Sequence, residues 1–458
     1  MKTTLLYNGT IITGDRTGPG AVLIKGDRIG AVYYTEDKET DAGKEIGRWI
    51  READEAIDTE GKAIMAGGID AHVHFREPGM SHKADMESES RAALLGGVTS
   101  FMDMPNTKPA TVSMALLEDK ATMAEGRVYA NYGFHLGATN DNIDELELAV
   151  RTCGDRFGGI KVFMGSSTGN MLVDSPEALE RIFSIKGKPV LVHCEDERTI
   201  TDNLARAVEE FGDDIPLSMH PEIRSRKACI RSSAKALELA ISHGTALHLL
   251  HVSTAEELKM AAAAKTYNSG ITVETSANYL WFCDKDYDRL GSRLKCNPAV
   301  KTAGDRTALR EGLKSGEVDT IGSDHAPHLI EEKEGKYRKA PSGIPSIQQS
   351  LPVLLTVASE EDIPLQRIAA AFSEKAADIF RIRDRGKLKP GYFADIVVAD
   401  TGKDTTVSED RLLYKCGWSP YGGCTLKGRV ETVFINGEKT VSEGSIIGRP
   451  AGRRLIFE

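Results

Sequence analysis

The sequence predicts an α/β protein built as a (β/α)₈ TIM-like barrel, with a small β-sandwich domain formed by both termini. Eight apolar, β-rich runs alternate with helix-like segments through the middle of the chain, and strand and turn patterns occupy both ends. A chain of 458 residues suffices for one barrel and one smaller domain. We therefore expect residues 1–55 and 388–458 to form the small domain and residues 56–387 to form the barrel.

The two ends of the chain carry similar strand and turn patterns. Near the N-terminus, LLYNGTIIT and AVLIKGDRIGAVYY place apolar residues on both sides of Asn-Gly and Gly-Asp, which is typical of β-hairpins. Near the C-terminus, YFADIVVAD is typical of a strand, and VETVFINGEKTVSEG pairs apolar runs across Asn-Gly. We expect the two ends to meet in one domain; the alternative is two unrelated hairpins packed on the barrel.

The barrel prediction depends on the middle of the chain. Helical patterns such as SPEALERIFSIKG and TAEELKMAAAAKTY separate apolar runs that are typical of buried parallel strands. The eight runs are, in order, AGGIDAHVHF, GVTSFMDMPN, VYANYGFHLG, GGIKVFMGSS, KPVLVHCED, TALHLLHVS, ITVETSANYL and VDTIGSDHAPH.

Charge and cysteine content narrow the class of function. The formal net charge is −10 and no long basic run occurs, which argues against nucleic acid or an anionic membrane as the main partner. No apolar run approaches membrane-spanning length, and MKTTLLYNGTIITG lacks the apolar core of a signal peptide. Seven cysteines without paired spacing favour a reducing compartment. We expect a soluble, cytoplasmic protein.

Metal-ligand types recur at the ends of the predicted barrel strands, where barrel enzymes carry their chemistry. Each histidine alone could be a core or loop residue, but several at matching strand ends favour a metal site. Imidazole and carboxylate together suit zinc, which keeps an open position for water in catalytic sites. The candidates are His72, His74, Lys161, His193, His251 and Asp324.

Lys161 is the least expected candidate because it lies in the apolar run GIKVFMG, where an ammonium group is costly to bury. One interpretation is a salt bridge, or a side chain that reaches the barrel mouth. The other is a carbamate formed with carbon dioxide, which would replace the cation with an anionic ligand able to bridge two metal ions.

Other histidines and one cysteine are expected to lie outside the site. His248 precedes His251 by three residues, so it faces the opposite side of the strand, and Cys194 points away from the ligand side. Four further histidines are expected to be structural or surface residues: His82, His135, His220 and His243.

Arg76 indicates the kind of substrate. It follows His74 by two residues and can therefore reach the same cavity, where a guanidinium group binds a carboxylate in a bidentate manner. Asn106, after the second strand, can add an amide donor to that carboxylate. The alternative for Arg76 is an ordinary salt bridge at the barrel mouth. The polar segment 331–346 is expected to be either a mobile loop that excludes water from the site or a plain solvated loop.

Seven segments resemble, in order and spacing, the cyclic amidohydrolases of the amidohydrolase superfamily, and among them the dihydroorotase family most. They are DAHVHFREPG, GGVTSFMDMPNT, KVFMGS, VHCED, LLHVST, CNPAVKT and TIGSDHAPH. The likeness covers essentially the whole chain. One departure is Ala277-Asn278, where the family often has Pro-His.

The resemblance implies roles for the candidate residues. His72 and His74 would hold one metal ion with Asp324, His193 and His251 would hold the other, and carboxylated Lys161 would bridge two Zn²⁺ ions. Asp324 would also act as the catalytic base. The residues that would bind substrate are Arg76, Asn106, Asn297 and His328.

The expected activity is that of a dihydroorotase, which interconverts dihydroorotate and N-carbamoyl-aspartate in pyrimidine biosynthesis. Allantoinase and dihydropyrimidinase or hydantoinase activities are alternatives, because these enzymes share the metal ligands. A non-catalytic scaffold is a remote alternative. The resemblance also implies a homo-oligomer, either a dimer or a tetramer.

Overall fold

The structure is a computed structural model that describes residues 1–37, 41–165 and 171–458. The quoted motif KVFMGS ends at residue 166, which lies outside the described residues. The strands are β1 Thr3–Ile12, β2 Thr17–Lys25, β3 Arg28–Tyr34, β4 Glu55–Asp58, β5 Ala63–Ala66, β6 Gly68–Val73, β7 Val98–Asp103, β8 Asn131–Phe134, β9 Leu136–Gly137, β10 Ile160–Phe163, β11 Val190–His193, β12 Leu247–Leu249, β13 Thr272–Ser276, β14 Thr320–Gly322, β15 Ile396–Thr406, β16 Thr425–Ile435, β17 Glu438–Ser442 and β18 Ser445–Ile446.

The α-helices lie mostly between the barrel strands. Many of them begin after a Ser, Thr or Asp whose side chain accepts a hydrogen bond from a backbone N–H of the first turn, as in α2, α6 and α12 below. The helices are α1 Ala42–Glu52, α2 Met86–Leu95, α3 Met114–Ala124, α4 Ile143–Cys153, α5 Pro176–Ser184, α6 Glu197–Phe211, α7 His220–Ile223, α8 Arg226–His243, α9 Ala255–Lys265, α10 Ala277–Trp281, α11 Tyr287–Leu290, α12 Ala303–Ser315, α13 Ile330–Lys333, α14 Ser350–Glu360, α15 Leu365–Ala369 and α16 Lys375–Ile379.

Strands β6 to β14 form the predicted parallel barrel in chain order. One sheet runs β6-β7-β8 and a second runs β9-β10-β11-β12-β13-β14. Strand β9 continues β8 after a break at His135. The His74 N–H donates to the His325 carbonyl at 2.8 Å, and this hydrogen bond joins the end of the first barrel strand to the segment that follows the last barrel strand. The strands are almost fully buried, as expected where helices cover the outer face of a parallel sheet. The predicted fold class is confirmed.

Strands from both ends of the chain form one sheet, in the order β18-β17-β16-β15-β5-β1-β2-β3, with β4 also paired to β1. The N-terminal β5 pairs with the C-terminal β15 in the middle of this sheet. Apolar side chains from both ends, including Leu6, Val22, Ile396 and Phe434, form a common core. The exact boundaries 1–55, 56–387 and 388–458 stay a prediction.

The prediction of a hairpin at LLYNGTIIT is wrong. Strand β1 runs straight through Asn8-Gly9, and its register with β2 shifts between Leu6 and Gly9. Asn8 has a φ of 56°, and a Cβ on Gly9 would lie 2.5 Å from Thr59 Oγ1, so this pair forms a bulge instead of a turn. The hairpins predicted at Gly26-Asp27 and Asn436-Gly437 are present.

Helix α1 lies where the sequence predicts only strands. Gly43 and Gly47 lower its helix propensity, but Ile46 and Trp49 share the face that packs on the terminal sheet beside Leu5. Tertiary packing therefore decides this segment. Within the described ranges, no helix has the length and apolar character needed to cross a membrane.

Candidate metal centre and substrate cavity

One cavity of about 410 Å³ opens at the C-terminal ends of the barrel strands. Every residue that the sequence predicts for the site lines it, although these residues are spread from position 72 to position 328. They are His72, His74, Arg76, Asn106, Lys161, His193, His251, Asn297, Asp324 and His328.

The first strand and the segment after the last strand bring two imidazoles and a carboxylate together. His72 Nε2 lies 3.4 Å and His74 Nε2 lies 3.2 Å from Asp324 Oδ1. One potential ligand atom from each residue lies within 4.8 Å of the other two. Burial lowers the pKa of His72 well below its ordinary value, so its imidazole is neutral, which is the form that binds metal ions.

A second pair of imidazoles lies beside the first. His193 Nδ1 and His251 Nε2 are 2.9 Å apart, and the ring centre of His251 is 5.2 Å from that of His72. Burial lowers the pKa of both His193 and His251. At least one of the two facing nitrogens must therefore present a lone pair to the other.

Lys161 completes this half of the cavity from β10. Its side chain is 1% exposed, and its Nζ forms no hydrogen bond or ion pair with any part of the chain that the structure describes. Burial lowers the pKa of Lys161 to about 7, so much of the amine is neutral at neutral pH. A salt bridge, one of the two interpretations of this lysine, is therefore absent from the described residues.

The donor set fits a metal ion. Four imidazoles and one carboxylate converge on a cavity, which matches the ligands that divalent transition metals take in catalytic sites. Among the residues that the structure describes, His251 Nδ1 and Asn297 Oδ1 are buried and find no hydrogen-bond partner, as expected where a ligand completes the contacts of a polar site.

Glu274 and Asn106 accept hydrogen bonds that orient His72 and His74 from behind, and Glu195 lies close to His193; the sequence analysis missed both glutamates. His72 Nδ1 lies 2.7 Å from Glu274 Oε1, and His193 Nε2 lies 3.1 Å from Glu195 Oε2. His74 Nδ1 lies 2.8 Å from Asn106 Oδ1, so the side-chain NH₂ group of Asn106, a predicted substrate-binding residue, points away from the imidazole. Glu274 could have been found by the argument that singled out Lys161, because VETS buries a charged group within an apolar strand.

Backbone conformation at the site is strained. Arg76, His251 and Asp324 have φ values of 64°, 39° and 47°, in the left-handed region that non-glycine residues rarely adopt. Such conformations persist where the surrounding structure holds them, and they cluster at functional sites. All three residues lie just beyond the ends of barrel strands and line the cavity.

The substrate half of the cavity centres on Arg76, which is 3% exposed. Its Nε donates to the Pro327 carbonyl at 3.0 Å and its Nη2 lies 3.1 Å from His328 Nε2. No carboxylate pairs with it within the described chain, so a salt bridge, the alternative interpretation of Arg76, is not observed there. Three further cationic residues that the sequence analysis missed line the cavity: Lys83, Lys108 and Arg224.

The segment 331–346 contributes three residues to the cavity wall. Pro341, Ser342 and Gly343 line it, and a Cβ on Gly343 would lie only 2.6 Å from the Ala326 carbonyl. The Lys333 ammonium, fully buried, donates to the carbonyls of Lys295, Pro341 and Gly343 at 2.8–3.0 Å. Three contacts from this buried lysine therefore hold the segment in place.

Most residues that the sequence analysis set aside lie away from the cavity. His248 and His135 are buried, and they contact Thr272 and the Ala71 carbonyl, respectively. Burial raises the pKa of Cys194 to about 12, which agrees with an inert thiol. At the family departure, Asn278 is buried and bonded to Ser276, Ser323 and Tyr421.

The comparisons with known proteins agree with this geometry. The model of the amidohydrolase family matches residues 63–440. A dihydroorotase of Methanosarcina mazei is 33% identical over 91% of this chain and 90% of its own, and an allantoinase of Escherichia coli is 29% identical over 95% and 94%. The L-hydantoinase (dihydropyrimidinase) from Arthrobacter aurescens matches the structure with a TM-score of 0.91 at 25% identity, covering 100% of both chains. The family match spans the barrel and every residue of the cavity, and the chain therefore belongs to the amidohydrolase family.

Proposed function

We propose that this amidohydrolase is a dihydroorotase, which interconverts (S)-dihydroorotate and N-carbamoyl-L-aspartate in de novo pyrimidine biosynthesis. The proposal includes two Zn²⁺ ions held by His72, His74, His193, His251 and Asp324 and bridged by carboxylated Lys161. It also includes a cytoplasmic homo-oligomer, a dimer or a tetramer.

The observation that carries the proposal is the buried guanidinium of Arg76. A buried charge without a partner is costly, so a cavity that keeps one is suited to an anionic ligand. Dihydroorotate has a ring carboxylate, whereas allantoin, hydantoins and dihydropyrimidines have none. Lys83 and Lys108 add positive charge to the same cavity. An enzyme for uncharged rings would gain nothing from this arrangement.

The residues around Arg76 can orient the substrate. The side-chain NH₂ group of Asn106 can donate a hydrogen bond to the carboxylate, because the Oδ1 atom of Asn106 already accepts one from His74. Asn297, whose Oδ1 has no hydrogen-bond partner in the described part of the chain, can contact the ring. Holding the carboxylate in this way fixes the ring carbonyl above the metal ligands, and orientation of this kind lowers a barrier by several kcal/mol.

Asp324 is placed to move protons in the reaction. Bound divalent metal would polarise the ring carbonyl and lower the pKa of a water molecule. The Asp324 carboxylate would accept the proton of this water as its oxygen attacks the carbonyl carbon. When the ring C–N bond breaks, Asp324 would return the proton to the departing nitrogen, leaving a ureido group and a carboxylic acid that loses its remaining proton to solvent to give the carboxylate. Ring closure uses the same steps in reverse.

Lys161 would serve as a ligand after modification. Its neutral amine can attack carbon dioxide and lose a proton, which gives a carbamate whose two oxygens share one negative charge. The low pKa of the buried amine favours this step, because only the neutral form is a nucleophile. The carbamate also removes an unpaired cation from a site where other cations would bind.

Turnover measurements on a panel of cyclic amides test the proposal. The zinc-loaded protein is assayed with dihydroorotate, allantoin, hydantoin and dihydrouracil, and the same protein treated with a chelator serves as the control. We expect the highest kcat/KM with dihydroorotate, and loss of activity on chelation that zinc restores. A higher kcat/KM with allantoin or dihydrouracil would reject the assignment.

A further inference from the structure

A buried pair of side chains, His325 and Glu89, lies next to the proposed base, and neither member is a predicted site residue. Both are fully buried, and His325 Nε2 lies 2.7 Å from Glu89 Oε2. Glu89 belongs to the first turn of α2, whereas His325 directly follows Asp324. The pair therefore connects a helix of the outer layer of the barrel to the backbone that carries Asp324.

Hydrogen bonds fix the ring of His325 at both of its nitrogens. Its Nδ1 accepts the backbone N–H of Ser346 at 3.0 Å and that of Ile347 at 3.3 Å. A backbone N–H can only donate, so Nδ1 carries no proton. Nε2 must then carry the ring proton, and it donates this proton to Glu89. The orientation of the ring is therefore determined by partners on two different segments.

Glu89 meets donors at both of its carboxylate oxygens. Oε2 accepts from His325, and Oε1 accepts from the Ser88 hydroxyl at 2.8 Å and from the Lys415 N–H at 3.1 Å. A glutamine at this position would turn its NH₂ group either toward the Lys415 N–H or toward His325 Nε2, and each of these groups is itself a donor. The site therefore requires a carboxylate, and an amide of the same shape does not satisfy it.

The backbone of Asp324 is strained and is held on both sides. Asp324 has a φ of 47°, a conformation that persists only where the surrounding structure determines it. On one side, the Ser323 N–H donates to the Asp70 carboxylate oxygens at 3.1 and 3.2 Å. On the other side, the His325 N–H donates to Ser323 Oγ at 3.0 Å, and its carbonyl accepts the His74 N–H at 2.8 Å. A fixed His325 ring therefore helps to set the direction of the Asp324 side chain.

We propose that Glu89 is a positioning residue that acts through His325 to hold the Asp324 carboxylate in the orientation needed for proton transfer. This inference rests on the role of Asp324 in the proposed function, but it does not depend on which cyclic amide is the substrate. The substrate contacts proposed for Arg76 and Asn106 come from the first two barrel strands. Loss of the pair is therefore expected to lower kcat and to leave KM nearly unchanged.

Glu89→Gln tests the pair, and Glu87→Gln, which removes the same charge from the exposed side of the same helix, is the control. With saturating zinc and folded protein, we expect Glu89→Gln to lower kcat by ~10- to 100-fold and to change KM by less than ~3-fold. Ser88→Ala, which removes one donor and keeps the carboxylate, should lower kcat by ~2- to 5-fold. A merely structural role would lower the free energy of unfolding and leave kcat per folded molecule unchanged.

Two further measurements show whether Glu89 acts through Asp324. In an Asp324→Asn background, Glu89→Gln should lower the residual kcat no further, because the group that it positions no longer accepts a proton. Backbone hydrogen exchange of the metal-free protein gives a readout without turnover. We expect residues 323–327 to exchange faster in Glu89→Gln than in the wild type and in Glu87→Gln, while β11 keeps its exchange rate.

The outcomes separate this inference from the proposed function. An unchanged kcat in folded Glu89→Gln, or an equal further loss in the Asp324→Asn background, would overturn the inference. If Glu89→Gln does not fold, an unchanged kcat in Ser88→Ala would overturn it as well. Preferred turnover of allantoin or dihydrouracil would instead reject the proposed function, and the same variants would then be compared on that substrate.

Discussion

Arg76→Met is expected to weaken turnover of a carboxylated substrate while stabilising the ligand-free fold. Burial lowers the pKa of Arg76 from 12.5 to about 10. At ~1.36 kcal/mol per pKa unit, keeping the side chain charged costs about 3 kcal/mol. Because pH 7 lies below both values, this cost is fully present there and is relieved only as pH rises from about 10 to 12.5.

The gain in stability is smaller than this cost because methionine loses a hydrogen bond. The Pro327 carbonyl, which accepts from Arg76 Nε at 3.0 Å, would be left without this donor, at a cost of ~1–2 kcal/mol. The free energy of unfolding of the ligand-free protein should therefore rise by about 1–2 kcal/mol.

Removing one partner of a buried carboxylate–guanidinium pair costs ~3–4 kcal/mol, so kcat/KM for dihydroorotate should fall by ~10²- to 10³-fold.

Two measurements on the same variant check these opposite effects. Urea unfolding of the metal-free protein gives the change in stability, and kcat/KM for dihydroorotate and dihydrouracil gives the change in recognition. Arg293→Met, at a position whose side chain is 44% exposed, controls for the loss of a charge. Equal losses on both substrates would refute carboxylate recognition by Arg76, and unfolding at lower urea would refute the energetic reasoning.

Asp324→Asn should abolish most turnover while the protein keeps most of its bound metal, because the amide cannot accept the proton; near-normal activity would contradict its role. Lys161→Ala should lose metal and activity, with partial rescue by short carboxylic acids, and full metal content without rescue would reject the carbamate. Since burial lowers the pKa of Lys161 to about 7, metal-free wild-type protein supplied with zinc should regain activity faster at pH 8 than at pH 6 when both solutions hold the same concentration of dissolved carbon dioxide, because more of the amine is neutral. Glu274→Gln should weaken metal binding by ~10- to 100-fold in a chelator competition, because His72 loses its charged acceptor; unchanged affinity would exclude this contribution.

Residues far apart in the sequence could be assigned to one site because two structural rules apply together. Side chains at strand ends of a parallel barrel meet at one face, and imidazoles with a carboxylate at that face indicate a metal site. His72, Lys161 and Asp324 could be grouped in this way before any coordinates. Lys83 could not, because it follows a strand end by several loop residues, and loop conformation has no periodicity from which its direction could be inferred.

The local errors have a different physical origin. Asn-Gly permits positive φ at two positions, but the sequence does not say whether the chain then reverses or continues through a bulge. At Asn8 the partner strand β5, more than fifty residues later, decides the outcome by pairing with β1. Helix α1 likewise depends on packing against the terminal sheet. Both outcomes are set by contacts with distant segments.

The central position of β5 in the terminal sheet has a consequence for biosynthesis. One edge of this apolar strand pairs with β1, but the other pairs with β15, which the ribosome makes roughly 330 residues later. At ~5–20 residues per second, that edge stays open for tens of seconds. An open, apolar strand edge can pair with other chains. Nascent or truncated polypeptides ending before residue 396 are therefore expected to need chaperone protection, whereas the completed chain does not.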